Sequence, residues 1–263
     1  MDFTYRSREF VIEGISESDL IYSNIVRTGT FYEIDLLEYI FRLRSFVRSK
    51  NRTNVVIDVG ANIGNHSIYF ASFVADHLIA VEPNPQVLPT LRANLARNVS
   101  DFSLFEYAVG ENEGRGTVDV PEQKQENIGA ARINWRDDDG GIQISTLDST
   151  LNTWGADTSD SFVVSMIKID VEGMEPQVLA GAKATIERHR PHIFLEASTD
   201  EELQRVQNIL IPLGYKRLLG SWAATPVYHF AHQPTFRLRV ASLIAQLRKG
   251  ARKVKKRILS KGS

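Results

Sequence analysis

The sequence predicts an α/β fold with an open, doubly wound parallel sheet. The first observation is an apolar run of β-forming residues that ends at Asp58 and leads, through a glycine-containing turn, into an apolar helix over residues 67–74. The second is that two further apolar runs end at acidic residues, Glu82 and Asp170. Continuous apolar runs are typical of strands buried on both faces, and strands that alternate with helices form parallel sheets. The carboxyl ends of such strands meet at one edge, where open α/β folds bind ligands.

The other elements continue this alternation. Apolar residues at helical spacing, with acidic residues first and basic residues last, predict a helix over residues 33–47. A single helix is predicted over residues 175–188, and Pro191 follows its end. The remaining predictions are strands over residues 78–81, 102–107, 162–169, 192–196, 214–219 and 227–230, and helices over residues 85–97 and 204–210.

The chain divides into a central domain with additions at both ends. A stretch in the middle of that domain breaks the strand–helix rhythm, and short apolar runs between polar loops predict an inserted β-ribbon there. The predicted divisions are a lead-in and covering helix over 1–50, the main domain over 51–235 with its β insertion over 110–162, and a basic amphipathic tail over 236–263. Within the insertion, strands are predicted over residues 117–120, 131–135 and 142–145.

The glycine-containing turn separates two classes of nucleoside ligand. A dinucleotide-binding turn has the pattern G-x-G-x-x-G. After Gly60, Asn62 and Asn65 occupy the second and third glycine positions, and a glycine stands instead at Gly64. We expect glycine in the turn because a Cβ would block a ligand, and we expect Glu82 to accept both hydroxyls of a ribose. This pattern suits a nucleoside without a pyrophosphate, such as S-adenosylmethionine.

Three motifs in this order resemble those of the FkbM family of S-adenosylmethionine-dependent methyltransferases. They occupy residues 58–64, 82–84 and 167–173, and the resemblance covers residues 30–220. It implies a class I methyltransferase, whose Rossmann-like doubly wound sheet ends in an antiparallel hairpin. The cofactor-binding residues are then expected to be Asp58, Gly60, Ala61, Asn62, Gly64, Glu82, Asn84, Ala108 and Val109. For Ala108 and Val109, an ordinary exit from a strand is the alternative to contact with adenine.

Carboxylates at the ends of neighbouring strands are the candidate catalytic groups. Methyl transfer to a hydroxyl requires alignment, and a carboxylate within hydrogen-bond reach can take the proton. Asp170 is the first candidate for this base, with Glu172 and Glu196 as alternatives. Asp170 can instead hold the methionine ammonium or cap the next helix. Lys168 lies on the same face as Asp170 and is interpreted as an acceptor contact or as a buried partner of a carboxylate.

Four aromatic or charged residues near these motifs have two interpretations each. The resemblance implies that the helix before the turn covers the methionine end, so that Tyr32 or Glu33 touches the ligand; a packing helix is the alternative. His66 either acts as a base or packs locally. Trp222 either stacks on an acceptor sugar or covers an edge of the core.

The insertion contains two further motifs. Asn127, Gly129, Ala130 and Arg132 resemble a glycine-rich segment of the family. The acidic run over residues 137–139 is interpreted as a solvated loop, because consecutive acids cannot all face one ion. No set of histidines and carboxylates has the spacing of metal ligands, so no metal site is predicted.

Composition excludes several classes of protein. The chain has no cysteine, which rules out disulfides and cysteine-ligated metals. No apolar run reaches the ~18 residues of a membrane span, and the first residues lack the core of a signal peptide, so a cytoplasmic protein is expected. Residues 237–263 carry 10 basic and no acidic residues, which leaves a net charge of −11 on the rest. An acidic body is poorly suited to nucleic acid, so no such partner is expected.

The C-terminal segment predicts a helix with an apolar stripe among basic faces. This pattern is typical of a helix that lies in an anionic membrane interface. A solvated arm and a docking helix for a partner glycosyltransferase are the alternatives, and Gly250 weakens the helix near its middle. The stripe consists of Phe236, Val240, Leu243, Ile244, Leu247, Ala251, Val254 and Ile258.

The resemblance implies O-methylation of a hydroxyl on a sugar or a polyketide-type natural product. The basic tail favours a glycan acceptor, because lipid-linked saccharides are assembled at membranes, and it places the protein at the inner face of a membrane. A cofactor-binding scaffold without turnover is a competing hypothesis. A nicotinamide-dependent oxidoreductase is disfavoured by the missing glycines.

Overall fold

The computed structural model describes residues 1–17, 19–119, 132–136, 141–155, 161–223 and 225–259. Helices separate successive strands in two stretches of the chain, residues 53–105 and 162–217, as the sequence predicts. The first half contains β1 (Asp2–Tyr5), β2 (Arg8–Val11), α1 (Leu20–Thr28), α2 (Ile34–Val47), β3 (Thr53–Val59), α3 (Asn65–Phe73), β4 (His77–Val81), α4 (Leu88–Asn98), β5 (Phe102–Phe105), β6 (Ala108–Val109) and β7 (Gly114–Asp119). The second half contains β8 (Arg132–Arg136), β9 (Ile142–Ser145), α5 (Leu147–Gly155), β10 (Phe162–Ile169), α6 (Glu175–Ala180), α7 (Lys183–His189), β11 (His192–Glu196), α8 (Asp200–Leu210), β12 (Tyr215–Arg217), β13 (Val227–His232) and α9 (Phe236–Leu259).

A seven-stranded sheet forms the centre of the molecule, with the strand order β12-β13-β11-β10-β3-β4-β5. The five strands from β11 to β5 are parallel, and β13 and β12 are antiparallel. The predicted sheet with a terminal antiparallel hairpin is therefore confirmed. In the register of the central strands, Lys168 pairs with Asp58, and Ile169 pairs with Leu195. The strands that lead to Asp170 and Glu196 are neighbours, as expected.

The side chains of the central strands alternate between two separate cores. Val56, Met166 and Phe194 pack on one side with α2, α3, α4 and the N-terminal hairpin. Val55 and Ile167 point to the other side and pack with α5, α6, α7 and α8. A strand covered on both faces must be apolar at nearly every position, which explains the continuous runs in the sequence.

The first 50 residues share a core with the main domain. Phe3 packs edge-on against Phe31 with ring centroids 5.0 Å apart. Two asparagines of α4 bind the backbone at the end of β2. The Val11 amide donates to Asn98 Oδ1 at 3.0 Å, and the Glu13 amide donates to Asn94 Oδ1 at 2.9 Å. The sequence predicts residues 1–30 only as an irregular or short-stranded lead-in; they form a β-hairpin that is anchored to α4 and is followed by helix α1.

The insertion forms a second, four-stranded sheet with the order β6-β9-β7-β8. The predicted strand over 142–145 is confirmed, and the other two predicted strands overlap β7 and β8. The all-β interpretation of residues 110–162 is wrong at α5, which begins where the Thr146 hydroxyl accepts the Ser149 amide at 3.0 Å. Asn127, Gly129, Ala130 and the acidic run over 137–139 lie outside the described residues, and Arg132 begins β8.

The single helix predicted over 175–188 is wrong, because the chain forms two shorter helices, α6 and α7. The break lies at Gly181, where a Cβ would be 2.0 Å from the carbonyl oxygen of Gly110. The α7 helix then begins at Lys183, and the distant Asp148 carboxylate accepts the Ala184 and Thr185 amides of its first turn at 2.9 and 2.8 Å. Both features come from distant parts of the chain, and local spacing does not reveal them.

The predicted C-terminal helix is confirmed as α9, but it is not a tail that begins after residue 235. Leu238 and Ser242 are buried against the body. The Tyr39 hydroxyl on α2 lies 2.9 Å from Ser242 Oγ, and Lys249 Nζ donates to the Ser221 carbonyl at 2.7 Å. The first half of α9 is therefore part of the fold. Across the described chain, no helix combines the length and apolar character needed to cross a bilayer.

Candidate active site

Two adjoining cavities lie at the carboxyl edge of the sheet. The first opens between the loop before α2, the turn after β3 and the ends of β10 and β11. The second lies between the turn after β3, the end of β4 and β6. Five of the predicted site residues line both cavities: Gly60, Asn62, Glu82, Asp170 and Glu172. The sheet topology thus brings together residues that are more than 100 positions apart.

The turn after β3 is held against two neighbouring strand ends. The Gly60 and Ala61 amides donate to the Val81 carbonyl at 3.0 and 3.1 Å. Gly60 has a φ of 81°, and a Cβ there would lie 1.9 Å from the backbone oxygen of Asp170. The approach of the Asp170 backbone therefore requires glycine here, independently of any ligand.

Gly64 and Asn65 fix the start of α3. Gly64 has a φ of 89° and lines neither cavity, so it serves the turn rather than a direct contact. Asn65 Oδ1 accepts the Tyr32 amide at 2.9 Å, and Asn65 Nδ2 donates to the Tyr32 carbonyl at 3.1 Å. Asn65, one of the two asparagines that depart from the dinucleotide pattern, thus ties the covering loop to the turn.

Glu82 lies at the border between the two cavities. Its Oε2 accepts the Asn62 amide and its Oε1 accepts the Asn84 amide, both at 2.9 Å. Burial raises the pKa of Glu82 to about 7, although the two backbone hydrogen bonds oppose this shift. Each carboxylate oxygen keeps a second lone pair. The side chain is therefore fixed in position to accept two ribose hydroxyls.

The second cavity has a mostly apolar lining. Ala108 and Val109 are buried and line it as strand β6. Val81, Val87 and Met174 complete a surface against which a planar ring can pack. The position of Ala108 and Val109 thus agrees with the expected contact with adenine.

Asp58 and Lys168 form a buried charged layer beneath the cavities. Asp58 is fully buried and lines neither cavity; its Oδ2 accepts the Ser67 hydroxyl at 2.6 Å. Lys168 Nζ lies 3.7 Å from Asp58 Oδ1 and donates to Asp170 Oδ2 at 3.0 Å. The pKa of Lys168 is raised, because the charges of Asp170 and Asp58 outweigh the effect of burial. These contacts support the interpretation of Lys168 as a buried partner of carboxylates.

Asp170 and Glu196 form a hydrogen-bonded pair of carboxyl groups in the first cavity. Burial raises the pKa of Asp170, but the Lys168 ammonium and the hydrogen bond from Glu196 outweigh it and hold this pKa well below the usual range. Burial, the hydrogen bond to Asp170 and the charge of Asp170 raise the pKa of Glu196 to about 10. At neutral pH the pair therefore holds one proton, with Asp170 ionised.

The covering loop adds Tyr32 and Glu33 to the first cavity, and the first turn of α3 adds His66. His66 Nε2 lies 3.3 Å from Glu33 Oε2, and its buried ring stacks on Phe70 with centroids 6.0 Å apart. This histidine therefore both lines the cavity and packs locally. Burial and the charges of Glu33 and Asp170 raise the pKa of Tyr32 to about 12. Both Tyr32 and Glu33 line the cavity, and their contact with the methionine end of the cofactor stays a prediction.

The cleft as a whole is acidic. Of the described residues that line the two cavities, the acidic ones are Glu33, Glu82, Asp170, Glu172 and Glu196, and Lys168 is the only lysine or arginine. S-adenosylmethionine has a sulfonium, an ammonium, a ribose and an adenine. An acidic cleft beside an apolar slot, with Glu82 between them, fits these groups in charge and polarity.

Trp222 belongs to the core and does not face the cleft. It is 3% exposed and stacks on Tyr39, with ring centroids 4.2 Å apart and an interplanar angle of 17°. This packing supports the interpretation of Trp222 as a residue that covers an edge of the core.

Several residues that line the cleft were not singled out from the sequence. Leu20 and Ile21 on α1, Thr225 and Val227 before and on β13, and Tyr107 and Met174 are in this group. A signal for α1 exists, since Asp19 caps the helix by accepting the Tyr22 amide at 2.7 Å and apolar residues follow.

The fold and the site together define a class I methyltransferase domain: a parallel sheet with a terminal antiparallel hairpin, a glycine turn after β3 and an acidic residue after β4. The family model described as the methyltransferase FkbM domain matches residues 58–217. The chain belongs to this FkbM methyltransferase family, which confirms the resemblance seen in the motifs.

The individual relatives share less than a third of their aligned residues with this chain. The chain is 29% identical over 169 residues to the 2-O-methyltransferase NoeI of Sinorhizobium fredii (strain NBRC 101917 / NGR234), a match that covers 58% of this chain and 66% of NoeI. The crystal structure of the methyltransferase FkbM from Methylobacillus flagellatus KT matches 73% of this chain and 48% of its own, with 19% identity and a TM-score of 0.48. The crystal structure of the precorrin-6y C5,15-methyltransferase of Geobacter metallireducens GS-15 matches 83% of this chain and 96% of its own, with 16% identity and a TM-score of 0.42.

Proposed function

We propose that the protein is an S-adenosylmethionine-dependent O-methyltransferase that acts on a hydroxyl of a sugar or glycan. The observation that carries the proposal is the carboxyl pair of Asp170 and Glu196, held in the polar cavity directly beside the nucleoside-type site. Family membership and the similarity to an enzyme named a 2-O-methyltransferase support it. The carboxylates of this cavity are also the acceptors that a ligand with several hydroxyl groups requires.

The residues of the two cavities have complementary roles toward the cofactor. Glu82 would hold the ribose, and the apolar slot at Ala108 and Val109 would hold the adenine. The acidic first cavity would attract the positively charged methionine end. When bound, S-adenosylmethionine supplies an activated methyl group and a neutral thioether as the leaving group.

The carboxyl pair would accept the proton of the attacking hydroxyl. Asp170 is ionised but held by Lys168, and its low pKa makes it a weak proton acceptor. Glu196 has the higher pKa, about 10, so it becomes the stronger base once its proton has been lost. A cation beside the pair favours that loss. We therefore assign the base to Glu196 and the orientation of the pair to Asp170 and Lys168.

The cofactor site can be tested by removing the Glu82 carboxylate. Charge-assisted hydrogen bonds contribute about 1.5–3 kcal/mol, so Glu82→Ala should weaken S-adenosylmethionine binding by roughly 10- to 150-fold. Calorimetric titration of the folded variant measures this change, and Glu201→Ala, at an exposed position on α8, is the matched control. Equal dissociation constants for the wild type and Glu82→Ala would remove Glu82 from the site.

The reaction can be tested by transfer of a labelled methyl group to saccharides. We expect the wild type to label a sugar hydroxyl, and we expect Glu196→Gln to lower turnover by about 100-fold with a much smaller change in cofactor affinity, because a positioned base acts on the chemical step. Binding without transfer to any hydroxyl would favour the scaffold hypothesis. Labelling of polyketide hydroxyls alone would overturn the sugar acceptor.

A further inference from the structure

One face of helix α9 is fixed against the body of the protein. Leu238 and Ser242 are buried, and Ser242 hydrogen-bonds to Tyr39. Lys249 lies over the ring of Trp222, 4.9 Å from its centroid. These positions lie on one side of the helix, since residues that are three, four and seven apart share a face. The docked face therefore determines which residues point outward.

The opposite face is apolar and exposed. Phe236 is 81% exposed and Leu247 65%, and Leu243 and Ile244 are 41% and 42% exposed. At about 100° per residue, these side chains point roughly opposite to Leu238, Ser242 and Lys249. These four residues of the apolar stripe predicted from the sequence are thus left uncovered.

Basic residues border this stripe on both sides. Arg237 and Arg248 lie along one edge, and Arg239 lies along the other, by the same helical spacing. The helix continues to Leu259, where the sequence adds further lysines and arginines. From residue 237 to residue 263 the sequence contains no acidic residue. Long cationic side chains beside an apolar stripe can reach the headgroups while the stripe enters the acyl boundary.

We propose that the outer face of α9 binds an anionic lipid surface, with the helix axis parallel to the membrane plane. The positive charge of α9 favours a lipid surface over a second copy of the chain as the partner of this face. Two α9 helices packed through the same face would bring their basic residues together without an acidic residue on either helix to balance them. Anionic headgroups supply the missing negative charge, and the acyl region covers the apolar side chains.

The position of α9 relates this surface to the active site. A groove lined by Asn24, Thr28, Ala223 and Lys249 also contains Tyr32 and Glu33, which line the first cavity. The docked face of α9 thus borders a groove that leads to residues of the first cavity. The proposal about α9 does not depend on the reaction that the cleft performs.

Flotation of the full chain with lipid vesicles tests the proposal. We expect the wild type to float with vesicles of phosphatidylcholine and phosphatidylglycerol, to be released as salt rises, and to bind pure phosphatidylcholine much more weakly. Leu243→Gln with Leu247→Gln should weaken partitioning by at least about tenfold. Neutralising Arg239 and Arg248 to glutamine should weaken it by about fivefold per charge.

The control is a double substitution at exposed apolar positions away from α9. Ile211 and Val26 are 56% and 47% exposed, so Ile211→Gln with Val26→Gln removes a comparable apolar surface and should leave flotation unchanged. Equal flotation of the α9 variant and the wild type would overturn the proposal. A second result would also overturn it: the wild type does not bind anionic vesicles but forms dimers, and Leu243→Gln with Leu247→Gln dissociates these dimers. That result would show that the outer face of α9 binds a second copy of the chain.

Discussion

At the scale of single residues, the cleft is controlled by how buried charges are paired. Lys168 is 2% exposed and sits between Asp58 and Asp170, so that one ammonium compensates two carboxylates. The remaining carboxyl of the group, Glu196, has a raised pKa and keeps its proton, because burial disfavours its charged form and Asp170 already carries a charge beside it. Two acids on neighbouring strands therefore differ in protonation state.

This arrangement makes cofactor binding dependent on pH. With a pKa of about 10, Glu196 is protonated at pH 8 before binding, and a nearby sulfonium or ammonium lowers that pKa. Binding at pH 8 should therefore release a proton, and affinity should rise with pH until Glu196 ionises in the free protein. Glu82, with a pKa of about 7, is already largely ionised at pH 8.

Calorimetry in buffers with different ionisation enthalpies measures this proton release. Glu196→Gln should abolish the buffer-dependent heat at pH 8, because no titrating group remains at that position. The matched control is Glu201→Gln on the exposed side of α8, which should release the same number of protons as the wild type. Unchanged proton release in Glu196→Gln would show that another group titrates on binding.

At the scale of single elements, close backbone approaches decide where strands and helices end. The turn after β3 approaches the turn after β10 so closely that only glycine fits at residue 60. A second close approach lies at the boundary between α6 and α7, where Gly181 lies against the Gly110 backbone. In both cases the contact joins segments that are far apart in the sequence.

Gly60→Ala should destabilise the fold far more than an alanine at a comparable glycine. Gly29 also has a positive φ, 64°, but a Cβ there would meet nothing within 4 Å. Gly29→Ala should therefore cost about 1–2 kcal/mol of unfolding free energy for the left-handed backbone alone. Gly60→Ala adds the clash with Asp170 and should cost on the order of 4 kcal/mol or more. Urea denaturation compares the two, and similar midpoints would contradict the close approach.

At the scale of the whole molecule, the sheet order assembles the site and the helices set its surroundings. Glu82, Asp170 and Glu196 follow three different parallel strands and meet at one edge. The N-terminal segment covers one side of this edge, and α9 packs on α2 beside it. The acidic cleft and the basic outer helix thus belong to one body with separate electrostatic surfaces.

The local pattern of the sequence predicted most elements of the main sheet. The strands over 162–169 and 192–196 have the predicted bounds, because runs that are apolar at nearly every position can be satisfied only between two helical layers. The acidic residues that end these strands are also local signals. Where an element depends on a distant partner, as the start of α7 depends on Asp148, the local pattern gave the wrong assignment.

The sequence by itself determined the fold class, the family and the set of acidic residues at the carboxyl edge, because strand patterns and short motifs are properties of neighbouring residues. Only the tertiary structure decided what each of those acids does. Asp58 is buried under the site, Asp170 is held by Lys168, and Glu196 keeps a proton, since burial and charge pairing depend on which strands lie side by side. In the same way, packing on α2 decided which face of α9 is left exposed.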